Sequence, residues 1–138
     1  MFRKSCLGVV FCGLLLAMPC DAFAVNESKI QADLDAFAHQ YVRSANKRMT
    51  VNRARPQVIK RGAMYVATFT EIDQQTVTAQ MRKSNSKHFD YVATLCYNEL
   101  TFESLGKTRK EAASGQFRCV KVRKLTELPR YVKGKWEN

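Results

Sequence analysis

Residues 89–102, FDYVATLCYNELTF, contain neither Gly nor Pro and are dense in β-branched and aromatic side chains. That composition over that length reads as a β-strand. Tyr91, Ala93, Leu95 and Tyr97 alternate onto one face, while Val92, Thr94, Cys96, Leu100 and Phe102 fall nominally on the other. Both faces carry bulk, so the strand is expected at the centre of a sheet, under a helix on one side and partly covered on the other. It also carries Cys96, and the chain around it is organised by where that cysteine finds a partner.

The first 24 residues have the form of a secretory signal. Arg3 and Lys4 give a positive start, residues 6–18 (CLGVVFCGLLLAM) an apolar segment, and Ala22-Phe23-Ala24 the small residues of a cleavage site. The apolar segment is shorter than the roughly 20 residues that span a bilayer. Cleavage after Ala24 leaves one domain, residues 25–138, with no transmembrane segment, in the periplasm of a bacterium or secreted. Of five cysteines, Cys6, Cys12 and Cys20 depart with the signal. Cys96 and Cys119 remain, and an even pair in an exported chain is expected to form a disulfide. That bond requires residues 114–119 to run beside the strand at 89–102.

Working outward, residues 30–45 place Ile30, Leu34, Phe37, Ala38, Tyr41, Val42 and Ala45 at helical spacing within one arc. Ser28 followed by Gln31 fits a capping box, with Asn26 as an alternative cap. Arg43, Lys47 and Arg48 suit the C-terminal end of such a helix. Pro56 marks a loop or a strand start. Val58, Ile59 and residues 63–72 read as strand, interrupted or bent at Gly62. Asp73-Gln74-Gln75 reads as a turn, residues 76–82 as strand, and 84–88 as another turn. Residues 107–114 suit a loop or a short helical turn, 116–128 a last long strand ended by Pro129, and 131–136 a short terminal strand containing a Gly bend.

One long N-terminal amphipathic helix followed by four to five strands with short connections defines an α+β fold, the helix packed on a curved antiparallel sheet. This element order across the mature chain resembles the cystatin-like and NTF2-like architectures. The resemblance implies a helix cradled by the sheet and, in the NTF2-like case, a cavity between them that Phe37, Tyr41, Tyr65 and Phe69 would line. The QxVxG loop of cystatins is missing, Gln57-Val58-Ile59-Lys60-Arg61 standing in that region, so protease inhibition is not expected.

Catalytic constellations are sparse. His39 points away from the helix's apolar arc, and His88 sits in a turn without a partner. Glu99 and Glu103, four residues apart on one strand, lie about 13 Å apart at 3.3 Å per residue, beyond the roughly 6.5–9.5 Å of an inverting glycosidase. Neither a phosphate-binding GxxxxGK[ST] loop nor a GxSxG elbow occurs. The sequence names no catalytic residue, metal ligand or cofactor.

Charge is more informative. The formal charge is +11, and removing Arg3, Lys4 and Asp21 with the signal leaves +10. No acidic residue lies between Asp35 and Glu71, whereas Arg48, Arg53, Arg55, Lys60 and Arg61 are candidates for binding an anion, Arg offering bidentate donors to phosphate or carboxylate. Lys121, Arg123 and Lys124, with Arg130, Lys133 and Lys135, extend the basic surface or balance Glu99 and Glu103 across strands. Tyr131 and Trp136 are expected to close the end of the core. The expectation is an exported, non-catalytic binding or accessory protein whose basic surface meets an acidic protein, an anionic lipid or a cell-envelope polymer. Export argues against nucleic acid. The alternative is an NTF2-like cavity protein that binds or transforms a small apolar ligand.

Overall fold

The structure, a computed structural model, describes residues 21–138, with side chains described from Asn26 onward. Residues 1–20 of the signal-like stretch, with the apolar segment 6–18 and Cys6, Cys12 and Cys20, lie outside the described residues. The elements, in order, are α1 (Asp21–Arg48), β1 (Gln57–Arg61), β2 (Met64–Lys83), β3 (Tyr91–Gly106), α2 (Arg109–Ser114), β4 (Arg118–Glu127), β5 (Arg130–Val132) and β6 (Lys135–Glu137). This is an α+β fold with one long helix on an open antiparallel sheet.

The sheet has six strands rather than four or five: the segments 58–72 and 131–136 each divide at a tight turn, while 63–72 and 76–82 run on as one strand. Gly62 takes φ +63° between Arg61 and Met64, which pair across a two-residue loop. A positive φ at the first loop position suits a hairpin turn that Gly adopts without steric cost. Of the expected interruption or bend, the structure has the interruption, as a full reversal. At the other end Val132 pairs with Lys135, so residues 131–136 form a hairpin instead of one strand.

β3 is central, as its two bulky faces require. It pairs with β2 along one edge. Along the other it pairs with β4 over residues 95–103 and with β5 over Tyr91 and Val92. Pro129 sits between β4 and β5, and its carbonyl accepts from Ala93 N–H at 2.8 Å.

Asp73-Gln74-Gln75 does not reverse the chain. Asp73 pairs with Asn98 and Thr78 with Cys96, so five steps on β2 match two on β3 and the surplus loops out as a bulge. Turn chemistry closes it: Asp73 Oδ1 accepts from Gln75 N–H, and the Thr76 hydroxyl donates to the Asp73 carbonyl while accepting from Asn98 N–H. The sequence signal was genuine, but an Asx turn serves a bulge as readily as a hairpin. Both halves of β2 consequently lie on the same partner.

The bulge lets Ile72 and Val77, five residues apart, face α1 together. Ile72, Ala38, Val42, Leu95 and Tyr97 form one buried cluster, with Val77 and Ala79 packed against it. Ile30, Leu34, Ala93 and Trp136 form a second, flanked by Tyr131. Trp136 Nε1–H donates to the Ile30 carbonyl, so the C-terminal hairpin does close the core.

α1 runs through Asn26 and Ser28 without a cap there, and Gln31 has other work. Its amide donates to the Ala79 carbonyl at 3.1 Å and accepts from Met81 N–H at 3.4 Å. Asn46, near the other end of α1, accepts from Ile72 N–H at 2.8 Å and donates to the Ile72 carbonyl at 2.9 Å. β1 covers β2 only up to Thr68. The two amide side chains thus take the place of a strand along the remaining outer edge of β2.

The opposite face is covered by α2. Phe69 stacks on its cross-strand partner Phe102 at 4.9 Å and meets Phe117 edge-on at 4.9 Å. Ala112 is fully buried there and Ser104 nearly so. Thr108 caps α2 by accepting from Glu111 N–H.

Candidate functional site

The register places Cys119 opposite Phe102 and Cys96 opposite Thr126. Six strand positions, about 20 Å at 3.3 Å per residue, separate them, whereas a disulfide needs Cα atoms within about 7 Å. β4 does neighbour β3 as the expected bond required, but slid too far along it. Both cysteines are free thiols. Cys96 Sγ lies 3.6 Å from the Thr126 hydroxyl, and Cys119 Sγ lies 3.6 Å from the Lys121 carbonyl.

The expected cavity is likewise divided. Phe37 and Tyr41 stack at 6.0 Å on the α1 face, and Tyr41 leans on Tyr97. Phe69 lies three residues before Ile72 in an unbroken ladder, hence on the opposite, α2 face, and Tyr65 shares its side. The sheet separates the two pairs, so these four side chains line no common space. Burial, together with the hydrogen bond to Glu127, holds the Tyr97 hydroxyl well above the usual phenol range.

The five candidate anion ligands separate too. All are exposed. Arg48 ends α1, and Arg53 and Arg55 sit in the loop that follows. Asn52 shapes that loop: its side-chain carbonyl accepts from Ala54 and Arg55 N–H, and its amide donates to the Met49 carbonyl. Arg53 lines a cleft of about 280 Å³ with Asn46, Asn52 and Glu71. Lys60 and Arg61 stand at the far end of β1, five and six residues on from Arg55, about 17–20 Å of extended chain at 3.3 Å per residue, and as neighbours they point to opposite faces. The loop arginines and the β1 pair do not converge.

What the fold does assemble is the half of the α1 face of the sheet that lies beyond the helix, where Val66 is buried and its neighbours are partly exposed. α1 shelters β2 and β3 only as far as Ile72 and Glu99. Beyond it, cross-strand rows follow from the register: Thr70 with Thr101 and Lys121, then Gln57 with Thr68, Glu103 and Arg118, then Ile59 with Val66 and Leu105. Met49, Thr50 and Val51 wall one side of a bay of about 360 Å³ floored by Gln57, Thr68, Thr70 and Glu99. On the other side β4 presents Arg118, Lys121 and Arg123 in a column on one face, with Lys124 on the other.

Glu99 is held by Arg123, with Nη2 at 2.7 Å and Nε at 3.1 Å from the same carboxylate oxygen. This is the cross-strand balance that the charge pattern suggested. The bay offers hydroxyls, one amide and an already paired carboxylate beside the apolar Met49, Val51 and Phe69. His39 and His88 are both exposed and lie on different elements, away from it. Among the described residues no group of three or more His, Cys, Asp or Glu is placed to hold a metal. No helix among them is long and apolar enough to cross a membrane.

Sequence reasoning overlooked Asn46 and Asn52, which position this surface. A helical arc gives one signal: Gln31 falls inside the apolar arc of α1 and Asn46 just beyond its margin, where a polar side chain reaches the sheet rather than solvent. No protein-family model matches the chain, and neither a curated protein nor a solved structure is significantly similar to it.

Proposed function

We propose that the chain is a small exported binding or accessory protein, without catalysis, that engages an anionic partner through its basic surface. One observation carries the reading: β4 sets Arg118, Lys121, Arg123 and Lys124 on a single exposed strand, and of these Arg123 has a carboxylate partner while the other three form no ion pair among the described residues. Cations aligned at strand spacing produce a field that steers an anionic partner. The element order, similar to cystatin-like and NTF2-like folds, fits a scaffold that displays such a surface, and the secretory form of residues 1–24 supports export.

The test is a titration with polyglutamate, with anionic phosphatidylglycerol vesicles and with neutral phosphatidylcholine vesicles. Each is run at about 0.01 M and about 1 M salt, where the screening length is about 30 Å and about 3 Å. Binding to an anionic probe that fades with salt is expected, together with its loss in the double variant Lys121→Glu/Lys124→Glu. Equal behaviour of all three probes at both salts would overturn the proposal.

A further inference from the structure

β4 has one paired edge and one bare one. Its partner is β3, and among the described residues no strand lies on its other side. It is ten residues long, and seven consecutive residues from Arg118 to Lys124 are exposed. A row of unpaired N–H and C=O groups of that length is a template for another strand. β2's comparable open edge is occupied by Gln31 and Asn46. β4's is not.

The side chains on that edge choose the occupant. Lys121 and Arg123 lie opposite Thr101 and Glu99 on the α1 face, and Arg118 opposite Glu103 joins them. Val122 lies opposite Leu100 on the α2 face and is 60% exposed. Val120, at the register shift between Thr101 and Phe102, is 54% exposed and lines a cleft of about 390 Å³ with Leu105 and Arg118. A second copy of β4, paired antiparallel about Lys121, would set Lys121 against itself and bring the two Arg118, Lys121 and Arg123 columns side by side on one face. Like charges directly across strands repel, so the cations bar the chain's own copy. They admit a strand of opposite sign.

We infer that the outer edge of β4 binds an extended acidic segment of a partner protein by strand addition, the segment alternating carboxylate side chains on the α1 face with apolar ones on the α2 face. Backbone pairing would supply affinity, and the Arg118, Lys121 and Arg123 column with Val122 would supply specificity. This rests on the proposed anionic partner and narrows it to a peptide in a defined conformation. It also gives the exposed valines a use that electrostatics alone does not.

The experiment uses a fluorescent peptide of alternating Glu and Val. Two controls have the same charge: one N-methylated along both edges, one with Glu and Val segregated into blocks. The alternating peptide should bind, and N-methylation should weaken it about tenfold or more, as loss of two or three backbone hydrogen bonds implies. Amide exchange of residues 118–124 should slow on binding while that of β1, the opposite edge, stays unchanged. If the N-methylated or block peptide binds equally well, or residues 118–124 keep their exchange rates, strand addition is wrong while anion recognition stands. If none of the peptides binds and polyglutamate and anionic vesicles also fail, both are wrong.

Discussion

Asn46 contributes more to this fold than its place on the margin of a helix suggests. A backbone N–H and C=O on a sheet edge are normally paired by a strand or by water. At Ile72 both are taken by one amide side chain, beneath a residue that is 6% exposed. Asn46→Ala leaves those two groups without partners in a place that water reaches poorly, and should cost about 1–3 kcal/mol. Urea denaturation checks this. Asn46→Asp, which keeps the acceptor but loses the donor, should fall between the two. At this scale the sequence was legible where a residue's chemistry is local: Trp136 and Tyr131 close the core, and Glu99 meets a cation across the strands. It was opaque where the partner is distant. Nothing near Gln31 or Asn46 in the chain signals Ala79 or Ile72, and a residue that suits a helix cap also suits an edge.

Elements repeat that contrast. α1, β3 and β4 were readable because periodicity runs through each of them, and the segment 107–114 forms the short helix α2. The bulge after Asp73 was not readable, since the residues that reverse a chain also let it loop out. The register of β4 on β3 was not readable either, because an even cysteine count implies a bond but fixes no alignment. α2 is seated by close approach: a Cβ on Gly106 would press on Ala112 N and come 2.7 Å from Glu111 Cβ. The obstacle is largely helix backbone, which cannot rotate aside. Gly106→Ala should therefore destabilise the protein by about 1–3 kcal/mol, as overpacking does, and should loosen the cover over Phe69 and Phe102. The thermal midpoint and amide exchange in residues 109–115 are the measurements. An unchanged midpoint would show that α2 shifts freely.

Across the whole molecule, charge and architecture are distributed differently from one another. The two apolar clusters lie under α1, the aromatic trio under α2, and the cations are spread around the rim with two ion pairs among the described residues. The basic surplus was plain from composition. Its arrangement was not, because the loop arginines and the β4 column are brought near or kept apart only by strand pairing.

The bond from Trp136 to the Ile30 carbonyl has a kinetic meaning. It joins positions 106 residues apart, while the long pairing of β2 with β3 closes through the short 84–90 loop. Contacts of low sequence separation cost less chain entropy and tend to form early, and distant ones late. The hairpin should then be largely made at the folding barrier and the C-terminal latch still open. Trp136→Phe should accelerate unfolding severalfold and leave the folding rate nearly unchanged, a φ-value near zero, followed by far-ultraviolet circular dichroism in stopped flow. Because Trp136 is the only tryptophan, its fluorescence in the unaltered protein is a built-in clock for the last contact the chain makes.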